Sequence, residues 1–152
     1  MSKLQVKNEA VINAPVKSIW AVITDIDQLT KLNPGAVKAT GRMDKQGETR
    51  IVEISMNGRN GTFTEKLIEL VPERKTVWTI ENDTMGMSKM LKENRFVMNL
   101  EKLSDNETKV TSETYYQPAN LIAKIMSVLM IKSTFGKMQG HILTNLKMLT
   151  EK

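Results

Sequence analysis

Glu65 and Lys66 stand side by side in a run, residues 62–70, that reads as a strand. Successive strand side chains point to opposite faces, so only one of the two can enter a protein interior. If Thr64, Lys66 and Ile68 face inward, Lys66 is a buried amine; if Phe63 and Leu67 do, Glu65 is the buried group. Either would have a shifted pKa and could act as an acid or base. The bland alternative is that both are solvated at a sheet rim. Tyr115 and Tyr116 also alternate, so one turns inward with a hydroxyl that needs a partner. Glu65, Lys66 and Tyr116 are therefore the candidate acid–base groups.

Other chemistries are poorly served. The chain has no cysteine, which removes thiolate zinc sites, thiol catalysis and disulfides. His141 is the single histidine, so no histidine triad can hold a metal. On a helical wheel it lies about 100° from the apolar stripe through Phe135, Ile142 and Leu146, a flanking position. Glycine-rich phosphate loops, zincin motifs and a Ser-His-Asp pattern are all missing from the sequence. No metal and no cofactor are expected.

The elements that must position these groups follow from periodicity. At 152 residues the chain is long enough for a single domain, 1–152, that buries roughly 70% of its unfolded surface. Residues 4–12 alternate as a first strand, ended by Asn13-Ala14-Pro15. Val16, Ile19, Trp20 and Ile23 form the apolar face of a short helix, and residues 25–32 a second, stopped by Asn33-Pro34-Gly35. Six further strands are predicted at 36–43, 48–56, 62–70, 75–83, 90–103 and 107–116. They are separated by turns at residues 44–47, 57–61, 71–74 and 104–107, and tight turns impose antiparallel pairing. Residues 118–152 read as one long helix. Phe135, Met138, Ile142, Leu146 and Leu149 form a stripe in its second half, whereas residues 121–131 are apolar nearly all round. Gly136 and Gly140 are where a bend would be least costly.

The net charge of +5 comes from 17 lysines and five arginines, scattered over every segment and accompanied by only seven aromatics. That is a solvated lysine-rich surface, with no nucleic-acid partner and at most peripheral attraction to a membrane. The amino-terminal residues lack the apolar run of a signal peptide, and the longest apolar run is too short to span a bilayer, so a cytoplasmic location is expected.

The order of strand, two short helices, six-strand meander and long final helix resembles the helix-grip fold of the START-like (SRPBCC) superfamily. Ile12-Asn13-Ala14-Pro15 leading into Ile19-Trp20 and Asp25 is similar to the opening of its bacterial branch. Asn33-Pro34-Gly35, the Glu69–Arg74 turn, Glu107–Thr111 and Leu146–Leu149 also resemble that branch. Leu32-Asn33 stands where many members carry a tryptophan, and only Gly41 and Gly47 fall near the glycine-rich loop of the plant branch. The fold implied is α+β: a seven-stranded curved antiparallel sheet wrapped around a long C-terminal helix, with two short helices between the first two strands.

The resemblance implies a cavity between the sheet's concave face and that helix. Trp20, Met56, Trp78, Phe96, Met98 and Tyr116 from the sheet side, with Met126, Met130, Phe135 and Met138 from the helix, are the expected lining. Eleven methionines suit a pocket of varied apolar shape, although each could equally fill a core. Met85, Met87 and Met90 form an expected lip, and Ile122 and Leu129 a gate. The function implied is binding of a small hydrophobic molecule or lipid, by a monomer or homodimer. The alternative is a polyketide cyclase/dehydratase-like enzyme using Glu65, Lys66 or Tyr116. A third reading makes the first half of the helix a dimer or membrane contact surface.

Overall fold

The structure is a computed structural model that describes residues 2–151 apart from Asn57 and the side chain of Met56. The chain begins with β1 (Lys3–Ile12), followed by α1 (Val16–Ile23), a 3-10 turn (Ile26–Gln28) and α2 (Leu29–Leu32). The meander is β2 (Ala36–Gly41), β3 (Thr49–Met56), β4 (Arg59–Val71), β5 (Lys75–Asp83), β6 (Leu91–Ser104) and β7 (Glu107–Pro118), with a short α3 (Met87–Met90) before β6. α4 (Leu121–Met126), a π turn (Ser127–Ile131) and α5 (Lys132–Thr150) run on as one helix. The sheet order is β1-β7-β6-β5-β4-β3-β2, antiparallel throughout, as the tight turns require. This is the expected helix-grip architecture.

β4 begins earlier than predicted. Arg59 pairs with Met56, so the connection is shorter than the expected turn over residues 57–61, of which Asn57 lies outside the described residues. Gly58, at φ 76°, takes the left-handed conformation the turn needs. The ladder between β5 and β6 also ends early, at Trp78 and Phe96. Beyond it the buried side chain of Asn94 accepts from the Ile80 amide at 2.7 Å and donates to the Ile80 and Leu91 carbonyls, standing in for a strand.

The core falls into three connected groups. Ile12, Ile19, Ile23, Leu100, Val110 and Leu146 close one end under α1. Leu29 of α2 covers Met43, Val52, Ile54, Leu67 and Trp78. At the opposite end from α1, Leu91, Tyr116, Ile131 and Phe135 form the third group, and Phe96 packs against both it and the second. α5 lies along β1 and β7, with α1 and α2 on its other flank.

The helix seam differs from the predicted stripe. The buried residues are Ala123, Ser127, Ile131, Phe135, Gln139, Leu143, Leu146 and Thr150. Met138 and Ile142 are half-buried flanks and Leu149 is exposed. The reason is polar pairing, which an apolar pattern ignores. Gln139 donates to the Thr114 hydroxyl at 2.6 Å and accepts from Asn8 at 3.0 Å, so an amide occupies the seam. Steps of four residues also drift about 40° each on a regular α-helix. The wider π turn at Ser127–Ile131 takes up part of that drift. The irregularity therefore sits before Gly136 and Gly140, where the bend was expected.

Candidate functional site

β7 shows how the site is placed. Thr108, Val110, Ser112, Thr114 and Tyr116 are all buried, alternating with Lys109, Thr111, Glu113 and Tyr115. Four of these five inward residues carry hydroxyls; the long helix meets those of Thr114 and Tyr116 with Gln139 and Ser127, and Thr108 donates to the Ala14 carbonyl at 2.9 Å. The Tyr116 hydroxyl is hydrogen-bonded to that of Ser127, both buried. Burial raises the Tyr116 pKa above its ordinary value, and the Ser127 hydrogen bond offsets part of the rise. Tyr115 points the other way.

Tyr116 lies at the centre of the third core group. Its ring is 6.4 Å from that of Phe135, which meets Phe96 edge-on at 5.5 Å. Half-buried Met87, Met90, Met126 and Met138 pack against the same core group. Asp83 holds the methionine-bearing turn in place: its carboxylate accepts from the Met85, Met87 and Ser88 amides and the Ser88 hydroxyl, at 2.7 to 3.1 Å. Partial burial pushes the Asp83 pKa up, but these hydrogen bonds outweigh it and hold the carboxyl below its usual value.

Beside Tyr116 and Ser127 an open cleft of about 620 Å³ separates the start of β1 from the start of the helix. Lys3, Lys124 and Lys132 line it together with Gln5, Leu121 and Val128, and no carboxylate does. Asn120 caps the helix by accepting from the Ala123 amide at 2.8 Å, which fixes the cleft's rim.

The fourth strand resolves the Glu65–Lys66 alternative. Phe63, Glu65 and Leu67 share the concave face, where Leu67 pairs with Trp78 and Glu65 with Arg50. Lys66 points to the outer face, toward Glu81 at 3.9 Å, and is not an inward amine. Glu65 accepts from Arg50 Nε at 2.9 Å, both side chains being about 13–14% exposed, and the Arg50 guanidinium lies 3.7 Å over the Trp78 ring. Arg50 has a sequence signal: it shares the parity of Val52 and Ile54. Asn8 likewise shares the parity of Val6, Ala10 and Ile12 in β1, whereas Ser127, Gln139 and Lys3 have no comparable signal.

Among the expected lining residues, Phe96, Tyr116, Met126, Phe135 and Met138 come together at the α3 end, with Trp78 adjacent through Phe96. Trp20 and Met98 pack instead with the group under α1. Met130 faces outward at 56% exposed, because Ser127 and Ile131 take the inward side of the π turn. The Met56 side chain lies outside the described residues. Among the described residues no cluster of three metal-ligating side chains occurs, and no helix is long and apolar enough to cross a membrane.

A curved antiparallel sheet gripping a long helix is the architecture of a START-like protein. The chain belongs to the polyketide cyclase/dehydrase and lipid transport family, whose profile matches residues 3–151. Solved structures share the fold. A START superfamily protein from Mycobacterium smegmatis superposes with a TM-score of 0.74 at 12% identity, covering 95% of each chain. The Zhui aromatase/cyclase from Streptomyces sp. R1128 gives 0.69 at 12%, covering 95% of this chain and 94% of its own. Norcoclaurine synthase from Thalictrum flavum, in complex with dopamine and hydroxybenzaldehyde, gives 0.71 at 17%, covering 100% and 90%. Comparison with curated proteins gave no significant sequence match.

Proposed function

We propose that the chain binds a small hydrophobic molecule or lipid at the α3 end of the fold, between the concave face of the sheet and the start of the C-terminal helix. One observation carries this reading. Met87, Met90, Met126 and Met138, all half-buried, pack with Phe96 against the core group of Tyr116 and Phe135, and the Tyr116–Ser127 pair also lines an open cleft. Unbranched thioethers re-pack around varied apolar shapes at little cost, and the paired hydroxyls offer a polar contact to orient a ligand. The family to which the chain belongs supports the same class of ligand. The test is native mass spectrometry of the purified chain together with displacement of an apolar fluorescent probe by fatty acids and aromatic polyketide-like compounds. A retained or displacing apolar ligand, weakened by Met126→Gln or Phe96→Ala, is the expected result. A chain that takes up no probe and carries no ligand overturns the reading.

A second reading, a cyclase/dehydratase-like enzyme, rests on the inward Glu65. Its carboxylate is held by Arg50 on the concave face next to Trp78 and accords with the cyclase and synthase among the structural neighbours. Glu65 or Tyr116 would carry the proton; Lys66, on the outer face, would not. Loss of turnover in Glu65→Gln and Tyr116→Phe with ligand uptake retained supports it, and absence of turnover toward cyclisable substrates removes it.

A further inference from the structure

Of the large apolar residues in the first half of the C-terminal helix, only Met126 and Ile131 turn inward. Small residues, Ala123 and Ser127, face the sheet, while Leu121, Ile122, Ile125, Val128, Leu129 and Met130 face solvent. Ile122 and Leu129 are 73% and 71% exposed. A helix that only completes a core puts its large apolar residues inside. Contiguous exposed apolar surface of this kind marks an interaction site. Charge identifies the partner. From residue 114 to residue 150 the sequence contains no aspartate or glutamate and four lysines. Two of these, Lys124 and Lys132, meet Lys3 in the cleft at the base of the exposed face.

We infer that the outward face of residues 121–130 docks onto an anionic lipid bilayer, the apolar side chains entering the interface while Lys3, Lys124 and Lys132 contact its acidic headgroups. Lysines flanking an exposed apolar helix face match a surface that is greasy within and negative at its boundary. A second copy of the chain fits less well, since it would bring these lysines against their own equivalents without a carboxylate on the helix to pair them. Contact is peripheral, because no helix among the described residues can span the bilayer. The inference goes beyond ligand binding and is tested without a ligand, so the two fail separately.

The experiment is co-sedimentation of the full chain with vesicles of phosphatidylcholine alone and of phosphatidylcholine containing about a quarter phosphatidylserine. Expected is capture by the serine-containing vesicles only, reversed by high salt. Lys124→Gln/Lys132→Gln should weaken capture about tenfold or more, and Ile122→Ser/Leu129→Ser should abolish it. Both apolar positions are exposed, so circular dichroism should show the variants folded. Three outcomes overturn the inference: no capture, equal capture by neutral vesicles, or capture unaffected by either double variant. A dimer in light scattering that Ile122→Ser/Leu129→Ser converts to monomer also overturns it, by assigning the face to self-association.

Discussion

The Tyr116 hydroxyl lies against the Ser127 hydroxyl where the last strand hands over to the long helix, and both groups are buried. Either substitution alone leaves one buried hydroxyl without its partner, at a cost of about 1–3 kcal/mol. Tyr116→Phe/Ser127→Ala removes both and should cost less than the sum of the single changes. Urea melts of the four proteins test this, and additive effects would contradict the pairing.

The same pair has a pH signature. Burial raises the folded-state pKa of Tyr116 above 10.0, so the protonated form is the stabilising one. Its contribution is complete below pH 10.0 and declines as pH climbs through the raised value. Tyr115, also raised by burial and by Glu113, is common to wild type and Tyr116→Phe. Stability measured against pH should therefore fall less steeply in Tyr116→Phe above pH 10.0.

Gln139 holds the seam between β1, β7 and α5 through Thr114 and Asn8. Gln139→Leu completes an apolar stripe yet strands the Thr114 hydroxyl, and is expected to destabilise by roughly 1–3 kcal/mol. A gain in thermal stability would show that the amide is not needed there.

Arg50→Met leaves Glu65 without its guanidinium and uncovers Trp78. A loss of about 2 kcal/mol is expected, below the fully buried range because both side chains keep some solvent contact. Arg50→Met/Glu65→Leu should recover most of that loss in denaturant melts.

Asp83 gives the opposite pH dependence. Its folded pKa lies below 3.8, so its support of the methionine turn is present above that value and lost as pH falls through the depressed pKa. Asp83→Asn should lower the hydrogen-exchange protection of the Met87 and Ser88 amides at neutral pH, and the protection factors of wild type and variant should converge in acid.

Strand parity accounts for most of what the residue pattern reveals. Val52, Ile54, Phe96 and Leu100 announce their faces by alternation, and Arg50 falls on the same side of β3 as Val52 and Ile54. The choice between Glu65 and Lys66 has no such signal, because Phe63 and Leu67 compete with Thr64 and Ile68 on nearly equal terms. Only pairing with β3 and β5, where Glu65 meets Arg50 and Leu67 meets Trp78, separates them.

The helix divides along the same line. Its existence, its length and the difference between its halves are set by residue order, since an all-round apolar run followed by an amphipathic one is a local property. Which side of it is buried is a tertiary decision. Gln139, Ser127 and Thr150 carry no hydrophobic signal, yet they lie in the seam because β7 presents hydroxyls and β1 an amide for some of them to meet. Local pattern counts apolar atoms, whereas the folded seam is settled by satisfying every buried polar group at once, and the large residues displaced from it are the ones now facing solvent.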